Sequence, residues 1–207
     1  MFSKLQYISQ GSTVSQQLHN IQSAINAGCN WVQLRFKNAT LNETMPLAEL
    51  VKELCAKHGA ILIINDHPHI AKAVDADGVH LGLTDLSISQ ARDIVGGNKI
   101  IGGTANTVEH VLQRAEEGCN YVGLGPFRFT TTKEKLSPIL GLEGYRKIMG
   151  ALQEQNIQVP VFAIGGIVFE DIEAIKQTGI HGVAVSGIVT HHPDKQLLEQ
   201  QLKEALI

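Results

Sequence analysis

Residues 127–135 read FRFTTTKEK: three threonines in a row, then Lys133, directly after the apolar run YVGLGP (121–126). Hydroxyls and an ammonium on one loop suit an anion, because O–H and N–H donors can share the charge of a phosphate. The plain alternative is a solvated polar loop. A second cationic group lies in WVQLRFK (31–37). Alternation along a strand would put Gln33, Arg35 and Lys37 on one face and Val32, Leu34 and Phe36 on the other. Two cations on an inward face are costly without a partner. Arg35, Lys37 and Lys133 together therefore point to a multiply charged anion, such as a diphosphate.

The carboxylates sort by position. Asp66 and Asp85 follow the apolar runs AILIIN (60–65) and GVHLG (78–82), whereas Asp75 and Asp77 precede the second of these. In a parallel fold the first pair lies at the strands' C-terminal ends, where active sites form, and the second at the opposite face. Asp66 and Asp85 are thus candidate Mg²⁺ ligands, with solvated or capping carboxylates as the alternative. Asp75 and Asp77 read as turn or capping residues. Metal and cations would stabilise charge developing on a departing pyrophosphate. AIGGI (163–167) and AVSGI (184–188) add glycine turns whose backbone N–H groups can hold a phosphate. A Gly-Gly pair is also an ordinary tight turn. His67 and His69, beside Pro68, read as loop surface. His80 reads as a core histidine, with an inward, site-ordering role beside Asp66 as the alternative. His191 and His192 read as the loop leading into the last helix, and Cys55 as core.

A scaffold must bring these strand ends together. Eight short, β-branched apolar runs recur: 5–8, 31–36, 60–65, 78–82, 99–103, 121–125, 159–165 and 182–186. Such runs suit parallel strands buried on both faces. Helical spacing appears at 14–27, 44–58 (with Pro46 in the first turn), 106–117, 171–178 and 194–206. Gly28, Gly118 and Gly179 stand where a helix end needs a left-handed residue. Eight strand–helix units in this length predict an α/β fold, a single (β/α)₈ TIM barrel over residues 1–207; an open doubly wound sheet has a similar pattern. Alternation would turn Gly123, Gly125, Ala163, Gly165, Ala184 and Ser186 inward, and Val122, Leu124, Phe162, Ile164, Val183 and Val185 outward. Small inward residues leave room for a ligand near the mouth.

Composition narrows the class. The 207 residues are enough to bury a core. A net charge of −3 provides no basic field for nucleic acid. No apolar run reaches membrane-span length, and the N-terminus lacks a signal-peptide core. Three scattered cysteines form no disulfide framework. A cytoplasmic enzyme acting on small molecules is expected, its oligomeric state open.

Together these motifs resemble the thiamine phosphate synthase family. The pattern Q-L-R-x-K is met by Gln33, Arg35 and Lys37, and N-D by Asn65 and Asp66. D-G-V-H-[LI]-G-x-x-D runs from Asp77 to Asp85, G-P-x-x-x-T-x-T-K from Gly125 to Lys133, and A-I-G-G-I from 163 to 167. The resemblance implies a Mg²⁺-dependent transferase with two small-molecule substrates. In that chemistry 4-amino-2-methyl-5-(diphosphooxymethyl)pyrimidine loses pyrophosphate dissociatively and is captured by thiazole phosphate. It further implies that Gln33, Arg35, Lys37, Asn65 and Lys133 bind the pyrimidine diphosphate, and that Asp66 and Asp85 hold Mg²⁺. Thr130, Thr132, Gly166, Val185 and Ser186 would contact the thiazole phosphate. Arg35, Lys37 and Lys133 would carry the catalytic charge stabilisation. Thr104 stands among the substrate contacts where the family usually has Ser; Leu83 and Asn106 replace the usual Gln and His. A thiazole tautomerase of the same superfamily and a non-catalytic phosphate-ligand sensor are the rival readings.

Overall fold

In the computed structural model of the protein the described residues are 3–129 and 138–207. Eight parallel strands close into a barrel: β1 (Leu5–Ile8), β2 (Trp31–Leu34), β3 (Ile61–Asn65), β4 (Gly78–Leu81), β5 (Ile100–Ala105), β6 (Tyr121–Leu124), β7 (Val161–Ile164) and β8 (Gly182–Val185). Closure runs through β1, where Tyr7 is in register with Val32 of β2 on one side and Val185 of β8 on the other. The helices are α1 (Val14–Asn26), α2 (Leu41–His58), α3 (Pro68–Ala73), α4 (Ile88–Val95), α5 (Val108–Glu116), α6 (Gly141–Glu154), α7 (Ile172–Lys176), α8 (Gly187–His191) and α9 (Lys195–Leu206). Among the described residues no helix is long and apolar enough to cross a membrane.

Side-chain caps decide where several helices begin. Thr40 and Glu43 form a reciprocal capping box, so α2 starts at Leu41, before its apolar spacing becomes visible. Pro46 consequently lies beyond the first turn. Ser87 and Gln90 build the same box on α4. Gly59 ends α2 at φ 65°, a left-handed position that glycine adopts without steric cost. Helices α3, α4, α6 and α8 add to the five stretches read from spacing, although α4 and α6 do bury residues at i, i+3 and i+7. The five residues of α8 and six of α3 are too few for a period to register, and α6 carries Gly144 and Gly150, poor helix formers.

Val32, Leu34, Val79, Val122, Val161, Ala163 and Val183 pack outward, within the core between barrel and helices. Inside the barrel Trp31, Ile63, Tyr121 and Phe162 form a separate cluster. The Trp31 ring stands edge-on to Tyr121 and Phe162, with centroids 5.1 and 5.0 Å apart. This corrects the expected facing of β7: Phe162 turns inward, Ile164 lines the interior cavity described below, and Ala163 turns outward. Both faces of β7 are apolar, so alternation alone cannot choose between them. The interior needs a large ring there, because the residue in register on β8 is Gly182. Gly102 has a related role: a Cβ there would fall 2.2 Å from Tyr121 Cζ.

The aromatic cluster is the barrel's floor, and its removal should be costly. Phe162→Ala is expected to lower stability by about 3–5 kcal/mol in equilibrium urea unfolding. A cost below about 1 kcal/mol would mean that the ring is not packed in the interior.

Candidate active site

Above that floor the C-terminal strand ends enclose a cavity of about 440 Å³. Gln33, Arg35, Asn65, His80 and Thr104 line it from β2 to β5, and Pro126, Gly165, Gly166, Val185 and Ser186 from β6 to β8.

Arg35 lies just beyond β2. Its N–H donates to Ser9 Oγ at 2.9 Å, and its carbonyl accepts from Gln17 Nε2 at 3.0 Å. The backbone is thus held on two sides. Burial lowers the guanidinium pKa, and nearby Asp66 acts against that shift. Gln33 Nε2 donates to Asn65 Oδ1 at 2.8 Å. Gln33 Oε1 is buried and finds no hydrogen-bond partner among the described residues. An acceptor left unmatched in a cavity wall is a place for a ligand donor.

Asp66 has φ 63°, a left-handed conformation that Asp tolerates better than most residues, and its N–H donates to His80 O at 2.9 Å. This turn carries its carboxylate to Asp85. Burial raises the Asp66 pKa well above the usual carboxylate range; the hydrogen bond with Asp85 and that residue's charge raise it further, while Arg35 lowers it. Asp85 Oδ2 accepts from the Gly82 N–H at 2.6 Å. Glycine allows that approach, since a Cβ at position 82 would lie 2.9 Å from the same oxygen. Among the described residues no three His, Cys, Asp or Glu side chains converge. Two carboxylates nevertheless suit Mg²⁺, which keeps waters and takes its remaining oxygens from substrate phosphates. The like charge of Asp85 beside the half-buried Asp66 carboxyl marks a site where a cation would relieve repulsion.

Asp75 and Asp77 lie at the other end of the barrel. Asp77 accepts from the Leu62 N–H at 2.8 Å, and Asp75 pairs with Lys99 at 2.5 Å. Lys37 needs a correction: β2 ends at Leu34, so Lys37 does not sit on an inward strand face. It is exposed in the following turn, outside the cavity lining. Thr130, Thr131, Thr132 and Lys133 lie outside the described residues.

The chain leading toward them is tied to the β7 turn. Phe127 N donates to Ile164 O at 2.9 Å and Arg128 N to Gly165 O at 3.0 Å. The Arg128 guanidinium reaches Gly166 O at 2.8 Å and grips Asp171 with two bonds of 2.8 and 2.9 Å. Gly166, at φ 69°, has no room for a side chain: a Cβ would be 3.0 Å from both Arg128 Cβ and Phe129 O. Val185 ends β8. The Ser186 carbonyl after it accepts from the N–H groups of Val189 at 3.1 Å and Thr190 at 3.0 Å, within α8.

Several lining residues carried no sequence signal. His191 belongs to α8, not to a connecting loop, and its Nε2 meets Gln10 Nε2 at 2.7 Å. Ile8, Ile164, Ile167 and Ile188 form the apolar wall, and nothing separates them in sequence from ordinary core. His80 is both core and lining: it is buried and hydrogen-bonded to Tyr121 and Thr104. Asn106 donates its amide to Gly125 O and so ties the end of β5 to the end of β6. Leu83 is exposed after β4. His67 precedes α3 as its N-cap residue. The thiols are buried, and burial raises them to about 11 for Cys29 and about 12 for Cys55 and Cys119, so none is a ready nucleophile.

Fold and mouth define the class: a TIM-barrel enzyme with its site at the C-terminal strand ends. The chain belongs to the thiamine monophosphate synthase family, whose family model matches residues 5–189. It is 56% identical over 206 residues to the thiamine-phosphate synthase of Flavobacterium johnsoniae, covering 100% of this chain and 97% of that one. It is 48% identical over 190 residues to that of Bacteroides fragilis, covering 92% and 93%. A solved thiamine phosphate pyrophosphorylase from Pyrococcus furiosus superposes with a TM-score of 0.85 at 30% identity, covering 99% of this chain and 95% of that one. A 3-hexulose-6-phosphate synthase structure, at 15% identity and a TM-score of 0.70, shares the fold alone. As a member of this family the chain is a transferase.

Asp85→Asn keeps an oxygen for the Gly82 N–H and removes the charge beside Asp66. At neutral pH without metal this variant should be more stable by about 1 kcal/mol, a gain limited by solvent at Asp85. A lower melting temperature would contradict like-charge repulsion between the two carboxylates.

Proposed function

We propose that this chain is a thiamine-phosphate synthase. It would join 4-amino-2-methyl-5-(diphosphooxymethyl)pyrimidine to thiazole phosphate, giving thiamine phosphate and pyrophosphate. The observation that carries the reading is the Asp66–Asp85 pair beside Arg35, a residue of the cavity wall; the two carboxylates themselves stand outside that lining. Opposed charges at one place suit a metal–diphosphate better than either ion alone.

In the proposed reaction the bond between the exocyclic methylene and the diphosphate oxygen breaks, and its electron pair leaves with pyrophosphate. The thiazole nitrogen lone pair then forms the new carbon–nitrogen bond, and the positive charge passes to that ring. No proton has to move, so the site needs no strong base. Arg35 would hold the diphosphate from the cavity wall, and Lys37 from the rim. Lys133, outside the described residues, would add charge as pyrophosphate departs. Gln33 Oε1, otherwise without a partner among the described residues, would accept from the pyrimidine amino group, with Asn65 beside it. The turn at Gly165 and Gly166, together with Val185, Ser186 and the hydroxyls of Thr130 and Thr132, would receive the thiazole phosphate. Asp66 and Asp85 would hold Mg²⁺, which when bound supplies charge neutralisation to the leaving group. The apolar wall of Ile8, Ile164 and Ile188 would keep water from the methylene cation.

Incubation of the protein with both substrates and Mg²⁺ should yield thiamine phosphate and pyrophosphate in equal amounts. Thiazole isomerisation without coupling, or binding without turnover, would reject the assignment. Asp66→Ala and Asp85→Ala should abolish turnover or sharply raise the Mg²⁺ requirement. Asp77→Ala, which loses the bond to the Leu62 N–H and the Lys52 contact at the opposite end of the barrel, should leave that requirement unchanged. Lys133→Ala should lower kcat by about 10²–10³-fold, with less effect on KM for thiazole phosphate.

A further inference from the structure

A polar chain climbs the barrel interior beneath the cavity. It starts at Gln6 on β1, whose Nε2 donates across the barrel to the Tyr121 phenol at 3.2 Å. The phenol oxygen lies 3.1 Å from His80 Nδ1, and His80 Nε2 lies 3.1 Å from Thr104 Oγ1. Gln6, Tyr121 and His80 are only 1%, 1% and 5% exposed. His80 and Thr104 line the cavity, whereas Gln6 and Tyr121 lie below it.

Each group between the ends of this chain has one proton to give, so the direction of the first bond sets the rest. A phenol that accepts from Gln6 still has its own O–H to donate, and His80 Nδ1 is there to receive it. An imidazole that accepts at Nδ1 carries its proton on Nε2. That Nε2–H then donates to Thr104 Oγ1. The hydroxyl hydrogen of Thr104 must point away from His80, and no acceptor for it is found among the described residues. The interior is shaped to hold this arrangement. A Cβ at Gly102 would fall 2.6 Å from His80 Nδ1, and one at Gly123 would fall 3.2 Å from His80 Cε1.

We infer that Gln6 and Tyr121 are positioning residues, which hold His80 as its Nε2–H tautomer so that Thr104 presents a hydroxyl hydrogen to a ring nitrogen of the pyrimidine substrate. The inference rests on the function proposed above for the identity of that substrate. Were the chain to run the other way, Thr104 would give its hydrogen to His80 and face the cavity with lone pairs alone. Those would repel a ring nitrogen instead of binding it.

Nitrogen-15 NMR of histidine-labelled protein reads the tautomer directly and needs no turnover. Wild type should show His80 protonated at Nε2. Tyr121→Phe, which keeps the ring but removes the donor, should raise the population protonated at Nδ1. Gln6→Met should shift it in the same direction and serves if Tyr121→Phe does not fold. In steady-state kinetics Tyr121→Phe should raise KM for the pyrimidine diphosphate about tenfold and leave KM for thiazole phosphate unchanged. Because Tyr121 acts through Thr104, the double variant Tyr121→Phe/Thr104→Val should be no worse than Thr104→Val alone. A wild-type His80 protonated at Nδ1, or additive losses in the double variant, would overturn the inference. A wild type that makes no thiamine phosphate would reject the functional reading, while the NMR result would still decide the direction of the chain.

Discussion

The interior of a closed parallel barrel has to be filled, and here large side chains fill only its lower part. Trp31, Ile63, Tyr121 and Phe162 make a buried floor. Above them the inward positions turn small or polar: Ala184 leaves space, and Gln33, His80 and Thr104 reach into it. The cavity follows from that change in size along the strands. Its polarity follows from the parallel topology, which delivers every strand's C-terminal end, and the loop after it, to the same rim.

Much of the barrel was legible because parallel strands buried on both faces read as continuous apolar runs; eight of these recur, with helical spacing read in five stretches between and after them. The same property hid the facing of β7. With Val161, Phe162, Ala163 and Ile164 all apolar, the residues do not say which side is the interior; only the shape of the neighbouring strand does, through Gly182. Strand ends were legible only approximately. β2 stops at Leu34, in register with Ile64 of β3, so Lys37 lies beyond the ladder that alternation from Gln33 would extend. Short helices such as α8 offer too few residues for a period, and His191 was read as part of a loop for that reason.

At the site, position relative to the strands was the informative feature. Asp66 and Asp85 follow neighbouring strands and meet; Asp75 and Asp77 precede β4 and hold the opposite end together. What spacing could not reveal is how the pieces are coupled. The Arg128–Asp171 grip ties the chain after β6 to the Gly165–Gly166 turn, and Asn106 ties β5 to β6. These bonds join residues far apart in sequence through side chains that look like ordinary surface polar groups. Among the described residues they join the ends of β5, β6 and β7 to one another.

The opposed charges of Arg35 and the two carboxylates are the centre of the functional reading, and calorimetric titration with inorganic pyrophosphate tests them most directly. Pyrophosphate should bind the protein when Mg²⁺ is present and bind much more weakly when it is chelated, because the anion alone would meet Asp66 and Asp85 as well as Arg35. Equal affinity with and without Mg²⁺ would contradict a site built for a metal–diphosphate.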